Sequence, residues 1–199
     1  IDFNVLYNKQ YKNGGFFVGG NMLWAKNKII DLKEIAYKYA HQYRKGHSIG
    51  TRFGFETNGL YTHPDQLVNA PTGSFGSPVL GDIVYKNQNP EDDNVIDESD
   101  MVALGNSLPE IIFGATLGGN YKGFDIQCNL EGSSLFSTHY IPNKFTPYAY
   151  ENRWNPNDPA VQTAYPGLSI SREYNTQTSD FWQKKTSLLR ISSAEVGYT

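Results

Sequence analysis

The sequence predicts an all-β fold, an antiparallel transmembrane β-barrel segment with long extracellular loops, and three observations lead to it. About five stretches alternate apolar and polar side chains over roughly the 9–11 residues that a tilted membrane strand needs. Very short turns join some of these stretches, whereas very long polar connections join the others. Even the smallest membrane barrels need ~8 strands, so this chain would form only an arc of a barrel wall.

Composition restricts the alternatives. The 199 residues would fit one domain, and a formal net charge of −3 gives no reason to expect a nucleic-acid partner. Aromatic residues make up 14% of the chain and glycine is frequent, a combination that suits strands and tight turns. The single cysteine, Cys128, excludes a disulfide within these residues, and no apolar run approaches the ~20 residues of a membrane helix.

Two hairpins are predicted. Residues 1–11 and 16–24 alternate on either side of the turn signal Lys-Asn-Gly-Gly at 12–15. The second hairpin turns at Lys122-Gly123, and a last strand is predicted over residues 187–198. In a barrel the apolar faces would meet lipid, the polar faces would meet the lumen, and the turn would lie at the periplasmic end. The apolar face of the second hairpin carries Ile111, Phe113, Ala115, Leu117, Tyr121, Phe124, Ile126, Cys128 and Leu130, and its second arm presents Asp125, Gln127, Asn129 and Glu131 on the polar face.

The connections at residues 25–108 and 133–185 are long, polar and rich in turn residues. Residues 31–40 could form a short amphipathic helix but look more like irregular loop, and Pro64 is expected to begin a turn. A compact soluble domain rarely carries structureless loops of this length. Outer-membrane barrels carry them routinely on their extracellular side, which favours a barrel.

The acidic segment NPEDDNVIDESD, from Asn89 to Asp100, has the spacing of a twelve-residue calcium loop. Ile96 would be its inward apolar anchor, and Asn94 stands where glycine usually makes a left-handed turn. A bound Ca²⁺ would be structural, and the alternative is a solvated acidic loop that keeps its shape without the ion. The ligand positions are Asn89, Glu91, Asp93, the carbonyl of Val95, Asp97 and Asp100.

No catalytic residues are assigned, and we expect a protein that is not an enzyme. The histidines have no metal-ligand spacing, and neither a nucleophile motif nor a phosphate-binding glycine loop is present. Aromatic side chains in the second long connection could stack on sugar rings or pack the connection against itself. They are Tyr148, Tyr150, Trp154 and Tyr165.

Four segments carry a family resemblance. They are GHSIGTRFGFETNGLY at 46–61, GDIVYKNQNPEDDNVIDESDMVALGNSLPEIIFGATLGGNYKGFDI at 81–126, RWNPNDP at 153–159 followed by YPGL at 165–168, and SLLRISSAEVGYT at 187–199. In this order they resemble the C-terminal part of SusC/RagA-type TonB-dependent outer-membrane transporters. The acidic loop departs from the family's Asp-x-Asn-Gly-Asp-Gly sequence, and two residues near Asn87 and Gln88 are added before it.

The resemblance implies that residues 1–199 are a fragment of a large plugged barrel of the ~22-strand kind, without its plug domain and remaining strands. It implies import of bulky nutrients, oligosaccharides or peptides, across the outer membrane of a Gram-negative, Bacteroidetes-like cell. A SusD-like surface lipoprotein would cap the barrel, and TonB would act through the missing N-terminal part. The wall would contact outer-membrane lipid and the rest of its own barrel.

Two other functions stay open. The chain could be a soluble secreted β-sandwich that binds carbohydrate, with calcium as a stabilising ion. It could also be a glycan-active enzyme, although no catalytic signature supports this. Dependence on detergent separates the transporter from the soluble sandwich.

Overall fold

The computed structural model describes residues 1–91, 93–140, 143, 145–158, 163–168 and 173–199. The chain divides into two compact units. The sheet unit comprises Ile1–Lys28, Asn106–Ser137 and Lys185–Thr199, and the loop unit comprises Ile29–Gly105 and Thr138–Lys184. Within the described residues, no helix has the length and apolar character needed to cross a membrane.

The described secondary structure is almost entirely strand. In chain order the strands are β1 (Asp2–Tyr11), β2 (Gly14–Trp24), β3 (Thr51–Gly54), β4 (Thr57–Leu60), β5 (Thr72–Gly73), β6 (Ile83–Tyr85), β7 (Val95–Ile96), β8 (Val102–Asn106), β9 (Ile111–Tyr121), β10 (Phe124–His139) and β11 (Gln183–Tyr198). The short helix α1 covers Pro147–Glu151, and 3₁₀ turns cover Ala40–Gln42, Pro64–Leu67, Glu98–Asp100, Tyr174–Thr176 and Asp180–Trp182.

The sheet unit is one five-stranded sheet in the order β1-β2-β9-β10-β11. β1, β2, β9 and β10 pair antiparallel with their neighbours, and β2 joins β9 across the first long connection. The predicted membrane-length strands are therefore all present and lie side by side. The part of the chain that the structure describes forms an open sheet rather than a closed barrel.

The register confirms the predicted faces. Tyr7 lies opposite Val18, Val18 opposite Leu117, and Leu117 opposite Cys128. Because side chains opposite one another share a face, the apolar sets of the four strands form one continuous apolar face. Its large members are Phe3, Val5, Tyr7, Tyr11, Phe16, Val18, Met22, Trp24, Ile111, Phe113, Leu117, Tyr121, Phe124, Ile126 and Leu130.

Both hairpins have two-residue turns at the places that the sequence predicts. Lys122 and Gly123 have φ angles of 49° and 87°, the left-handed pair of a type I′ turn, whose twist matches that of the strands. The first hairpin turns at Lys12-Asn13, because Tyr11 lies opposite Gly14. The position of each turn was therefore correct, but the first turn is shorter than the predicted 12–15, and β2 begins at Gly14 rather than at residue 16.

The sequence predicts two long irregular connections where the structure has the loop unit, and the loop unit is more ordered than that. It contains small two-stranded sheets, β3 with β8, β4 with β6 and β5 with β7, around an aromatic core. In that core the rings of Tyr85 and Tyr174 lie 5.4 Å apart. Residues 31–37 form neither helix nor strand, whereas the turn after Pro64 is present. The buried core residues are Phe55, Ile83, Tyr85, Ile96, Ala149, Tyr165, Tyr174 and Trp182.

Candidate functional site

The polar face of the sheet unit contains a concavity of about 730 Å³. Its floor is formed by β2, β9, β10 and β11, and polar side chains of the polar face contribute to its lining, among them Asn21, Thr116, Asn129 and Arg190. Pro109, Ile112 and Leu188 also line the hollow, so its surface mixes polar and apolar groups and can hold both water and larger solutes. It lies on the side of the sheet that the sequence assigns to the lumen.

Hydrogen bonds organise the polar face between β10 and β11. The Arg190 guanidinium donates to Glu131 Oε2 from Nη2 at 2.8 Å and from Nε at 3.2 Å. One row along, Asn129 Nδ2 donates to the Ser193 hydroxyl at 2.8 Å. Glu131 and Arg190 are both half exposed, so water screens this pair and it contributes little to stability. The pair instead leaves the hollow with both a cationic and an anionic hydrogen-bonding group.

Most large side chains of the apolar face are exposed, whereas Ile111, Phe113 and Leu130 are half-buried. Met22 is 37% exposed and Phe124 61% exposed, and the buried apolar core residues of the described chain lie in the loop unit. Soluble monomers rarely expose an apolar patch of more than a few hundred Å². The face therefore requires a partner surface that is itself apolar.

The structure separates the predicted calcium ligands into two groups. Asp100 is buried and Asn89 and Asp97 are half-buried, whereas Glu91, Asp93 and Val95 are exposed. Asp93, Asp97 and Asp100 each accept hydrogen bonds from backbone groups of the loop or of Gln88, which directly precedes it. These bonds are Val95 N–H to Asp93 at 3.1 Å, Ser99 N–H to Asp97 at 2.7 Å, and Gln88 and Asp97 N–H to Asp100 at 2.7 and 3.0 Å.

The loop turns differently from a calcium loop with glycine at its centre. Lys122 and Leu135 are the described non-glycine residues with positive φ, so Asn94 does not adopt the left-handed conformation expected of it. Ile96 is fully buried in the aromatic core, as its anchor role predicts. Over the ranges that the structure describes, no three His, Cys, Asp or Glu side chains are gathered as a metal site. Calcium binding here remains a prediction.

Hydrogen bonds to Glu56 hold the segment that directly precedes the acidic loop. Glu56 Oε2 accepts hydrogen bonds from Gln88 Nε2 and Lys86 Nζ, each at 2.9 Å. The Gln88 amide, followed by the Lys86 ammonium, lowers the pKa of Glu56. The added stability is therefore present at neutral pH and is lost as the pH falls through that lowered pKa.

A partly buried polar node in the loop unit was not predicted from the sequence. Asn175 Oδ1 accepts the Ile83 N–H at 2.9 Å, and Asn175 Nδ2 donates to Asp82 Oδ1 at 2.9 Å and to the Gly167 carbonyl at 3.2 Å. The Asn175 carbonyl accepts from Trp182 Nε1 at 2.8 Å. Asp82 was visible within the Gly-Asp-Ile motif, but no local pattern marks Asn175 as its partner.

The four aromatic candidates divide evenly. Trp154 and Tyr165 are buried in the loop unit, whereas Tyr148 and Tyr150 are about 60% exposed. The Arg153 guanidinium covers one face of Tyr150 at 3.7 Å from the ring centroid. Packing therefore explains two of these rings, and Tyr148 and Tyr150 remain available to a ligand or partner.

Three solved structures share this fold. They are the RagAB peptide importer in its 'open-open' state (TM-score 0.65, 15% identity), the RagAB peptide transporter (0.68, 14%) and the RagAB peptide importer in its 'closed-closed' state (0.63, 14%). Each alignment covers 99% of this chain but only 21–22% of the matched chain, so this chain spans about a fifth of their length. At these identities the likeness is one of fold. No protein-family model and no curated protein matches the sequence.

Proposed function

We propose that this chain is part of the wall of a TonB-dependent outer-membrane importer that takes up bulky nutrients together with a SusD-like surface lipoprotein. One observation carries the proposal: a five-stranded antiparallel sheet with a continuous exposed apolar face and a hollow polar face. In this assignment lipid covers the apolar face, and the polar face borders the transport path.

The dimensions of the sheet support a membrane position. Strand β9 runs ten residue steps from Ile111 to Tyr121, which at ~3.3 Å a step is about 33 Å. A barrel strand tilted by ~40° would cover about 25 Å of this along the membrane normal, which equals the ~25 Å apolar band of outer-membrane barrels. The apolar face therefore has the height that a bilayer requires.

The likeness to RagAB supports the class of substrate and partner. Those structures are described as peptide importers, and the sequence segments above resemble SusC/RagA-type transporters. Peptides are therefore the first substrate class to test, with oligosaccharides second. In this proposal the chain has no catalytic role, the loop unit is extracellular, the acidic loop holds a structural Ca²⁺, and TonB acts through a part of the protein outside these residues.

The β-sandwich alternative is less well supported. A sandwich buries the apolar side chains of two sheets against each other. The five long strands of the sheet unit instead form a single sheet, and Val5, Val18 and Leu117 are each more than 40% exposed. No observation in the described residues favours the sandwich over the wall.

Fractionation and uptake test the proposal. The full-length protein should enter the outer-membrane fraction and require detergent for extraction, and cells lacking its gene should lose uptake of labelled peptides or oligosaccharides. A protonophore should abolish uptake in wild-type cells, because the energy that TonB supplies comes from the proton gradient. A full-length protein that stays soluble and monomeric without detergent would disprove the membrane assignment.

A further inference from the structure

The turn end of the apolar face carries a cluster of aromatic rings. The ring centroid of Phe16 lies 5.8 Å from that of Tyr7 and 6.3 Å from that of Tyr11. The ring centroids of Phe124 and Tyr198 lie 4.5 Å apart. Tyrosine rings are favoured at the boundary between lipid tails and water, because the ring is apolar and the hydroxyl is polar. We call the rings of the turn-end rows, together with Lys9 and Lys122, the collar; its rings are Tyr11, Phe16, Tyr121, Phe124 and Tyr198.

Two lysines belong to the collar. Lys9 lies opposite Phe16 and is the one charged side chain on the apolar face of the paired segments of β1, β2, β9 and β10. Its ammonium lies 5.3 Å from the Tyr11 ring centroid, which directs the charge toward the turn, and Lys122 Nζ lies 5.3 Å from the Tyr121 ring. Neither lysine forms an ion pair with a described carboxylate.

The position of Lys9 along the strand sets the depth of its ammonium. Lys9 lies two residue steps, about 7 Å along the strand, from the strand end at Tyr11. On the lipid face of a barrel a lysine costs about 2–4 kcal/mol at the midplane but only about 0–1 kcal/mol near the interface. The lysine stem can lie along the apolar surface while its ammonium reaches the headgroup layer.

On the basis of the proposed membrane position, we propose that Lys9 and Lys122 bind the phosphate groups of phospholipids in the periplasmic leaflet. The charges are complementary, since the collar presents two unpaired ammonium groups and a phospholipid phosphate carries a negative charge. Each ammonium has three donors for phosphate oxygens. The aromatic rings pack beside the upper acyl chains and fix the depth of the sheet in the bilayer.

Lipid retention tests this inference. The full-length protein, delipidated in an uncharged detergent, is titrated with phosphatidylglycerol and separately with a diacylglycerol that lacks the phosphate, and bound lipid is counted by native mass spectrometry. The double variant Lys9→Gln/Lys122→Gln should bind phosphatidylglycerol about thirtyfold more weakly, as expected for the loss of two interfacial lysines at about 1 kcal/mol each. The matched variant Lys28→Gln/Lys33→Gln removes the same charge from residues that are not part of the collar and should bind as the unmodified protein does.

Unchanged phosphatidylglycerol binding in the collar variant, or an equal loss in the matched variant, would overturn the inference. An equal weakening of diacylglycerol binding would do the same, because it would show that the lysines do not recognise phosphate. The proposed function fails on a different result. A full-length protein that needs no detergent would disprove the membrane assignment. Unchanged lipid binding in a protein that does need detergent would disprove only the contact between the lysines and the headgroups.

Discussion

Leu117 and Thr116 are neighbours in β9 that the register places on opposite faces of the sheet. Leu117 lies opposite Val18 and Cys128 near the middle of the apolar face, and Thr116 lines the polar hollow. Leu117→Lys should block assembly, because a lysine at mid-bilayer costs about 2–4 kcal/mol on a barrel's lipid face. Thr116→Lys should assemble normally, since it adds its charge to the polar side.

Heat-modifiable gel mobility of the full-length protein in outer membranes measures this difference. Ile126→Lys should be tolerated better than Leu117→Lys, because Ile126 and Lys9 lie in the same cross-strand row, near the turn. The reverse result, with Thr116→Lys blocking assembly and Leu117→Lys tolerated, would place the apolar environment against the Thr116 face and overturn the assignment of the two faces.

Substitution of the acidic loop tests directly whether it binds calcium. Replacing Asp93 and Asp97 by Ala removes two proposed calcium ligands together with their bonds to Val95 and Ser99. If Ca²⁺ binds, at a hundredfold excess over its dissociation constant it would stabilise the folded state by about 2.7 kcal/mol. The unmodified protein should then melt higher in calcium than in chelator, and the double variant should lose that difference.

Calorimetry of the full-length protein in calcium and in chelator measures the effect. Asp65→Ala, an exposed carboxylate elsewhere in the loop unit, is the control and should keep the calcium dependence. Equal melting of the unmodified protein in calcium and chelator would contradict the calcium prediction. The loop would then be held by its backbone hydrogen bonds to Asp93, Asp97 and Asp100 alone.

The elements differ in how well the sequence predicts them. The long strands were predictable because apolar and polar side chains alternate in each of them over about ten residues. A short segment such as Phe3 to Tyr7 or Phe124 to Leu130 is therefore enough to assign its side chains to the two faces. The loop unit follows no such period. Its core combines residues that lie far apart in sequence: Phe55 directly after β3, Tyr85 at the end of β6 and Tyr174 in a 3₁₀ turn.

At the scale of the whole molecule, the two units are stabilised by different means. The sheet unit has long paired strands and an exposed apolar face, whereas the loop unit has a buried aromatic core and the polar node around Asn175. Burial raises the pKa of the Tyr85 hydroxyl, which remains a donor to the Tyr174 carbonyl at 2.8 Å. Damage to the node should therefore affect the loop unit selectively.

Asn175→Ala tests this division of the molecule. The change removes three side-chain hydrogen bonds, leaves the Ile83 N–H without its acceptor and takes a donor from the buried Asp82 carboxylate. The expected loss of stability is about 2–4 kcal/mol, because unmade hydrogen bonds of buried groups carry their full desolvation cost.

External proteinase added to whole cells should then cleave within residues 29–105 and 138–184, while residues 1–28, 106–137 and 185–199 stay protected by the membrane. Thr176→Ala removes only an exposed hydrogen bond to the Glu173 carbonyl and should leave the digestion pattern unchanged. Cleavage of the sheet strands at the same rate as the loop unit would contradict both the division and the membrane assignment, because strands embedded in a bilayer are inaccessible to a soluble proteinase.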